Sequence, residues 1–438
     1  MKRRPFLGAG VGAAALLAGC KHRKPEALKN TRPVTDNGKL AGLSLEELRE
    51  NYRHDLFDEF LPFVEKYVID REYGGFMCNV DRDGTRIDTE KSTWNEGRGI
   101  WVFSFLYNNI DSDPKWLEIA RKSVDFILKT RPEGVTLWHK RFTREGAPLG
   151  DPDTLIYSDL FVANGLQEFS KAGGDKYWDM SKEILLKCID IYDNRPGYAS
   201  LKPTKTSPGV SRPRIFSHWF QLVRLAIQML EKRYDPEVQA VVNRCIDAIM
   251  NAHYNPGFRL ITEYVSHDLY QIDSDYGKEI TSHAQETLWL VMQEAVRRGD
   301  KQLFDKAVER FKRHVEVLWD DVYGGLFSLK HVDDNLWNMN KPLWLQVEVL
   351  FGTLTLFEIT GDPWAKEWFA KMYSYFRDKF YLKRYGLLLW IFYGDRKVTF
   401  RPHALRVGIF QQPRHLMINL LTLDRMIKNG GKAAGVFQ

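Results

Sequence analysis

The feature that most constrains this chain is a turn that recurs along it. Asp113-Pro114-Lys115-Trp116, Asp175-Lys176-Tyr177-Trp178, Asp235-Pro236-Glu237-Val238, Asp300-Lys301-Gln302-Leu303 and Asp362-Pro363-Trp364 follow one another at 62, 60, 65 and 62 residues, counted from Asp to Asp. An Asp ahead of Pro or a good helix former is an N-cap signal, because its carboxylate accepts the orphan N–H groups of the first turn and Pro is tolerated at the first helical position. Gly174, Gly299 and Gly361 stand directly before three of these Asp residues, where a preceding helix would need a C-terminal cap. Each copy therefore predicts a tight helix-to-helix turn. A repeat of this length predicts one array of helical hairpins in place of several unrelated domains.

Around the turns, apolar residues at the 3.6-residue period predict helices over roughly 94–110, 157–172, 214–232, 281–298 and 343–359, each ending at a turn, and over roughly 114–130, 176–193, 236–252, 301–318 and 363–380, each starting from one. Residues 45–68 match the second type and 413–428 the first. The ends of the chain thus supply two halves of a sixth hairpin. An open array would cap its ends with polar faces, whereas these halves complete each other if the array closes. The expected fold is all-α: an (α/α)6 toroid of six helical hairpins over residues 44–430, followed by a short tail at 431–438. A linear superhelix is the alternative.

The N-terminus reads as an address. Lys2, Arg3 and Arg4 precede an apolar stretch from Pro5 to Ala18 that is too short to span a bilayer. Leu17-Ala18-Gly19-Cys20 resembles a bacterial lipobox, which implies a signal peptide over 1–19, lipidation of Cys20, a tether over 20–43 and a periplasmic lipoprotein on the inner or outer membrane. Arg3-Arg4-Pro5-Phe6-Leu7 resembles a twin-arginine signal. The remaining cysteines, Cys78, Cys188 and Cys245, have neither zinc-site spacing nor disulfide density. A net charge of +6 from 63 basic and 57 acidic residues gives no support to nucleic-acid binding. Thirteen Trp residues are a hint of a ligand with flat apolar faces.

Connections within a hairpin are a few residues long, while those between hairpins run to about 20–30 residues, and long loops usually carry function. They include Tyr73-Gly74-Gly75-Phe76, Tyr323-Gly324-Gly325-Leu326 and Tyr385-Gly386-Leu387. Every one opens onto the N-terminus of a helix of the first type, so six positive dipole ends converge on one rim. The polar residues at those ends are Glu96 and Arg98, Tyr157 and Asp159, His218, His283 and Glu286, Gln346 and Glu348, and Gln411 and Arg414. A packed core would place Leu and Ile there. Trp94, Trp219, Trp289, Trp344 and Trp390 are candidates for a sugar-stacking platform, whereas Trp101, Trp116, Trp178 and Trp364 read as core.

With these motifs in place, the chain resembles the N-acylglucosamine 2-epimerase family, which includes cellobiose 2-epimerases and aldose-ketose isomerases on an (α/α)6 barrel. Trp94-Asn95-Glu96-Gly97-Arg98 resembles that family's W-x-x-G-R segment, His283-Ala284-Gln285-Glu286 its H-x-x-E segment, and Trp344-Leu345-Gln346-Val347-Glu348 the W-x-Q-x-E form of the disaccharide epimerases. The resemblance implies a mono- or disaccharide substrate, no metal or cofactor, Arg98 on substrate oxygens, His283 as acid/base and Glu286 as its partner. Deprotonation alpha to an open-chain sugar carbonyl needs a neutral base and donors for the enediolate. At a helix N-terminus the dipole should disfavour the His283 imidazolium. One segment departs from the family: Phe410-Gln411-Gln412-Pro413-Arg414 carries Gln411 where a second catalytic His is expected, and an amide does not exchange protons near neutral pH. A glycoside hydrolase using Asp159, Glu286 or Glu348, and a non-catalytic sugar-binding lipoprotein, are the other readings.

Overall fold

The computed structural model describes residues 39–204, 208–332, 336–388, 391–393 and 403–437. Its helices alternate between two rings. The inner ring is α3 (Thr93–Asn109), α5 (Tyr157–Gly173), α7 (Phe216–Lys232), α9 (His283–Arg298), α11 (Leu343–Thr360) and α13 (Gln411–Lys428). The outer ring is α1 and α2 (Leu45–His54 and Leu61–Tyr67, joined by a π turn at Asp55–Phe60), α4 (Pro114–Lys129), α6 (Lys176–Asn194), α8 (Pro236–Asp247, continued by a π turn at Ala248–Ala252), α10 (Lys301–Leu318) and α12 (Pro363–Phe380). The two π turns have no counterpart in the helical period of the sequence.

Each inner helix packs on the next, α13 returns to α3, and α1 lies against α13, so the array is a closed (α/α)6 toroid. At the closure, Tyr52 of α1 holds His415 Nε2 at 3.2 Å and accepts from Asn419 at 3.1 Å, while Arg49 pairs with Asp424. Burial sorts the rings as physics requires. Outer helices bury a stripe, such as Trp116, Ala120, Val124 and Ile127 of α4, whereas α7 is buried from Phe216 to Glu231 because other helices surround it. For the same reason α11 is long and apolar enough to cross a membrane, yet it is mostly buried inside the ring.

The recurring Asp residues cap as the sequence predicts, with one exception. Asp113, Asp235, Asp300 and Asp362 each accept from backbone N–H groups two or three residues on. Asp175 makes no such bond and instead pairs with Lys232 at 2.7 Å. Gly299 and Gly361, at φ 71° and 70°, end their helices in the left-handed conformation that glycine adopts without strain.

Short strands fix how the chain enters the inner ring. Lys91–Ser92, Arg214–Ile215, Glu279–Thr281 and Asn340–Pro342 lie immediately ahead of α3, α7, α9 and α11, and each pairs with a strand from a long loop. Two of the loops are the same device printed 250 residues apart. In the first, buried Lys91 holds Asp70 at 3.0 Å and Gly74 O at 2.6 Å, and Phe76 N donates to Glu96 Oε1 at 2.9 Å. In the second, buried Lys341 holds Asp320, with Gly324 O at 2.7 Å, and Leu326 N donates to Gln346 Oε1 at 2.9 Å. Gly75 must be glycine on two counts: its φ is +82°, and a Cβ would lie 2.4 Å from Glu96 Oε2.

Candidate active site

The six repeats contribute one residue each, one turn into the inner helix except in α7, where it lies two turns in: Arg98, Phe161, Arg224, Glu286, Glu348 and Arg414, spaced by 63, 63, 62, 62 and 66 residues. They meet in a belt. Arg224 Nη1 donates to Glu286 Oε1 at 3.2 Å, Arg414 Nη2 donates to the same oxygen at 3.1 Å and also to Glu348, and Trp289 Nε1 donates to Glu348 Oε2 at 2.8 Å. The Arg98 guanidinium lies 4.2 Å from the centre of the Phe161 ring, with Trp94 and Phe410 at 5.2 and 5.5 Å. No carboxylate among the described residues hydrogen-bonds it. Burial, with Arg224 close by, pulls the Arg98 pKa down to about 9, which leaves it cationic near neutrality. Burial pushes Glu348 upward against the pull of Arg414. Three guanidiniums thus face two carboxyl groups, and the belt carries at least one positive charge in excess.

His283 is the first residue of α9, one turn above Glu286 on the same face. Its Nδ1 lies 3.0 Å from Glu263 Oε2 and 3.1 Å from Thr281 Oγ1, and its ring stacks on Trp344 at 5.5 Å and 18°. The side chain is about 32% exposed, so the ring edge is open to the bowl. Two expectations are corrected here. The partner of His283 is Glu263; Glu286 is committed to Arg224 and Arg414. The helix dipole also does not decide the charge of the imidazole. Burial opposes protonation, but the surrounding carboxylates, Glu263 first and then Glu286 and Glu279, outweigh it and hold the His283 pKa above its ordinary value.

Trp94, Tyr157 and His218 form an aromatic cluster of their own. Tyr157 stacks on His218 at 4.5 Å and contacts Trp94 at 5.5 Å. His218 is fully buried, with Nε2 on Tyr198 at 3.0 Å, and burial brings its pKa down to about 3. It is therefore neutral and fixed. Gln411 begins α13 in the place of the family's second His; it is buried, and its Oε1 has no partner among the described residues. Neither of the histidines nearest to it in sequence takes over that place. His415 points outward to Tyr52, and His403 pairs with Asp81 at 2.7 Å in a loop.

Five candidates leave the site. Glu96 and Gln346 are the staples of the two loops described above, and Ser123 adds a 2.6 Å hydrogen bond to Glu96. Asp159 does the same work in the next repeat, accepting from Trp138 N at 3.0 Å and pairing with Lys187 at 2.6 Å. Trp219 and Trp289 are buried at 1% and 2% exposure, so neither is a platform; Trp94 and Trp344 keep partly open faces. Trp390 and Cys20 lie outside the described residues. Two residues were missed. Arg224 was visible as a charge inside an apolar helix exactly one repeat before Glu286, while Glu263 sits in an aperiodic loop and gave no signal.

Residues 74–403 match the family described as N-acylglucosamine 2-epimerase (GlcNAc 2-epimerase). N-acylglucosamine 2-epimerase of Bos taurus is 25% identical over 391 residues, which cover 85% of this chain and 89% of that protein. Among solved structures, cellobiose 2-epimerase from Bacillus thermoamylovorans B4167 has a TM-score of 0.72 at 15% identity, covering 87% of this chain and 100% of that one. D-Mannose isomerase has a TM-score of 0.69 at 15% identity, covering 87% and 97%. These structures share the toroid.

Proposed function

The chain belongs to the N-acylglucosamine 2-epimerase family and is a sugar epimerase or isomerase acting at C2, and we propose that it interconverts an aldose and its ketose on one face, with His283 as the only base. The observation that carries this reading is a histidine with Nδ1 held by a carboxylate, set one turn above a belt with surplus positive charge. The Nε2 lone pair takes the proton from C2 of the open-chain sugar. The electrons move to the carbonyl oxygen, and the resulting enediolate supplies the negative charge that the Arg98, Arg224 and Arg414 belt lacks. The O2 proton of the enediolate passes to O1, and delivery of a proton to C1 from the same imidazole, which exchanges with solvent in the meantime, gives the ketose.

Epimerisation would require a proton delivered to C2 from the opposite face, and Gln411 has none to give. Glycoside hydrolysis needs two available carboxylates, whereas Glu286 and Glu348 are both tied to arginine and Asp159 to Lys187. The test is proton NMR in heavy water with mannose, glucose, N-acetylmannosamine and cellobiose. The expected result is deuterium at C2 of one of them with formation of its ketose. Gln411→His is expected to raise the epimer-to-ketose ratio by about 100-fold, the lower end of the range for a placed acid/base; no exchange in the wild-type protein, or no gain in a folded variant, refutes the corresponding step.

We further propose that the enzyme is exported and held by lipid on Cys20 at the periplasmic face of a membrane. The support is the Leu17-Ala18-Gly19-Cys20 ending behind an apolar stretch and three basic residues. Labelled palmitate should enter the wild-type protein and not Cys20→Ser, and labelling of both would refute the assignment.

A further inference from the structure

We propose that Glu263 is the positioning residue of the base: it fixes the tautomer and sets the basicity of His283, and it ties that ring to Tyr157. The inference rests on His283 acting as the base but can be tested without any sugar. Glu263 lies in the loop between α8 and α9, 4% exposed. Its backbone is anchored on both sides: its carbonyl accepts from Phe216 N and its N–H donates to Glu279 O, each at 2.8 Å. The carboxylate is therefore not free to swing.

A carboxylate offers about four acceptor sites, and here three donors converge on it. Ser217 supplies its N–H to Oε1 at 3.3 Å, Thr281 gives its hydroxyl to Oε2, and His283 Nδ1 lies 3.0 Å from Oε2. Each of these bonds is lost or weakened if the carboxyl takes up a proton, so it stays ionised; against the cost of burial, His283 and the other donors hold it at about 2. An ionised acceptor leaves His283 one arrangement. Nδ1 carries the hydrogen, since the only Thr281 hydroxyl proton is already spent on Glu263, and the lone pair sits on Nε2. Ser217 Oγ also lies 2.6 Å from Tyr157 O–H. Ser217 thus links Glu263, through its N–H, to Tyr157, through its hydroxyl, and the Tyr157 ring stacks on His218.

The other titratable groups facing His283 are Glu279 on the strand ahead of α9, Glu286 on α9 and His218 on α7. Trp344 from α11 presents a ring face without charge. Of these, Glu263 alone hydrogen-bonds the imidazole. Burial, then Glu263, raises the Glu279 pKa to about 7; a limb set by Glu279 would vanish in Glu279→Gln, whereas one set by His283 would persist there.

The experiment is a titration of the intact protein labelled with nitrogen-15 histidine, followed by NMR, for the wild type, Glu263→Gln and Glu263→Asp, together with the pH dependence of kcat and KM. Protonated His283 cannot accept a proton, so activity rises with pH through its midpoint. Expected are Nδ1–H as the single neutral tautomer in the wild type, a midpoint lower by about one pH unit in Glu263→Gln, the ascending limb of the rate profile displaced to lower pH by the same amount, and kcat reduced about 100-fold with KM changed less than about threefold. Glu263→Asp, which keeps the charge and shortens its reach, should recover part of both shifts and serves if the Gln variant does not fold. An unchanged midpoint and limb in a folded variant overturns the proposal. A displaced midpoint in a protein that turns over no sugar leaves Glu263 in its role and refutes the reaction.

Discussion

His283→Ala is expected to lower solvent-deuterium exchange at C2 by about 10³- to 10⁴-fold, the upper range for loss of a positioned general base, while leaving the fold in place. The ring is one-third exposed and packs on one face of Trp344 only, so its removal empties little of the core. His415→Ala is the matched control. His415 is buried against Tyr52 at the seam between α1 and α13, so that variant should lose stability and keep its exchange rate per folded molecule. Exchange rates in heavy water beside urea unfolding midpoints separate the two outcomes. A His283→Ala protein that exchanges at the wild-type rate would remove the base from the mechanism.

Glu348→Ala should have the largest effect on stability, about 3–5 kcal/mol by urea unfolding, the range found when one partner of a buried ion pair is deleted. Glu348 is 0% exposed and holds both Arg414 and the Trp289 indole N–H. Without it the indole loses its acceptor and Arg414 has only Glu286 left, which Arg224 also needs. Glu348→Gln, which keeps the acceptor for Trp289 and replaces one carboxyl oxygen by an amide, should cost less stability and still depress turnover, because Arg414 loses part of its anchorage. A loss below about 1 kcal/mol in Glu348→Ala would mean that water reaches the belt and that its charges are not desolvated. Pairs of this kind are poor stabilisers, since apolar residues of similar volume often do as well. Their concentration in one belt therefore speaks for chemistry.

The ring was legible in the sequence because its signals are local. A capping Asp, a glycine ahead of it and a 3.6-residue period are each contained within one turn or one helix, and repetition multiplies them. The identity of the site residues was legible only in part, because polarity at a helix N-terminus does not distinguish a residue facing the bowl from one facing its own loop. Glu96 and Gln346 belong to the second kind. Their roles depend on Phe76 N and Leu326 N, twenty residues upstream, although the 250-residue echo of Asp, Tyr-Gly-Gly, Lys and Glu or Gln was there to be read. Arg224 needed only one further step along the repeat. Glu263 could not be found by period at all: three-dimensional pairing of the strands ahead of α7 and α9 brings it to His283, and the same contact reverses the expected effect of the helix dipole on that histidine.

The clasp between α1 and α13 also bears on how the molecule is made. Tyr52 and His415 touch across 363 residues of chain, so α1 has to wait for α13 before its inner face is covered. Leu48, Tyr52 and Leu56 remain without that cover until α13 is made, and a message cut short between codons 381 and 411 yields five hairpins beside an open slot. For this architecture the final helix is the keystone, and surveillance by chaperones and proteases has a simple criterion to apply: whether the circle has been shut.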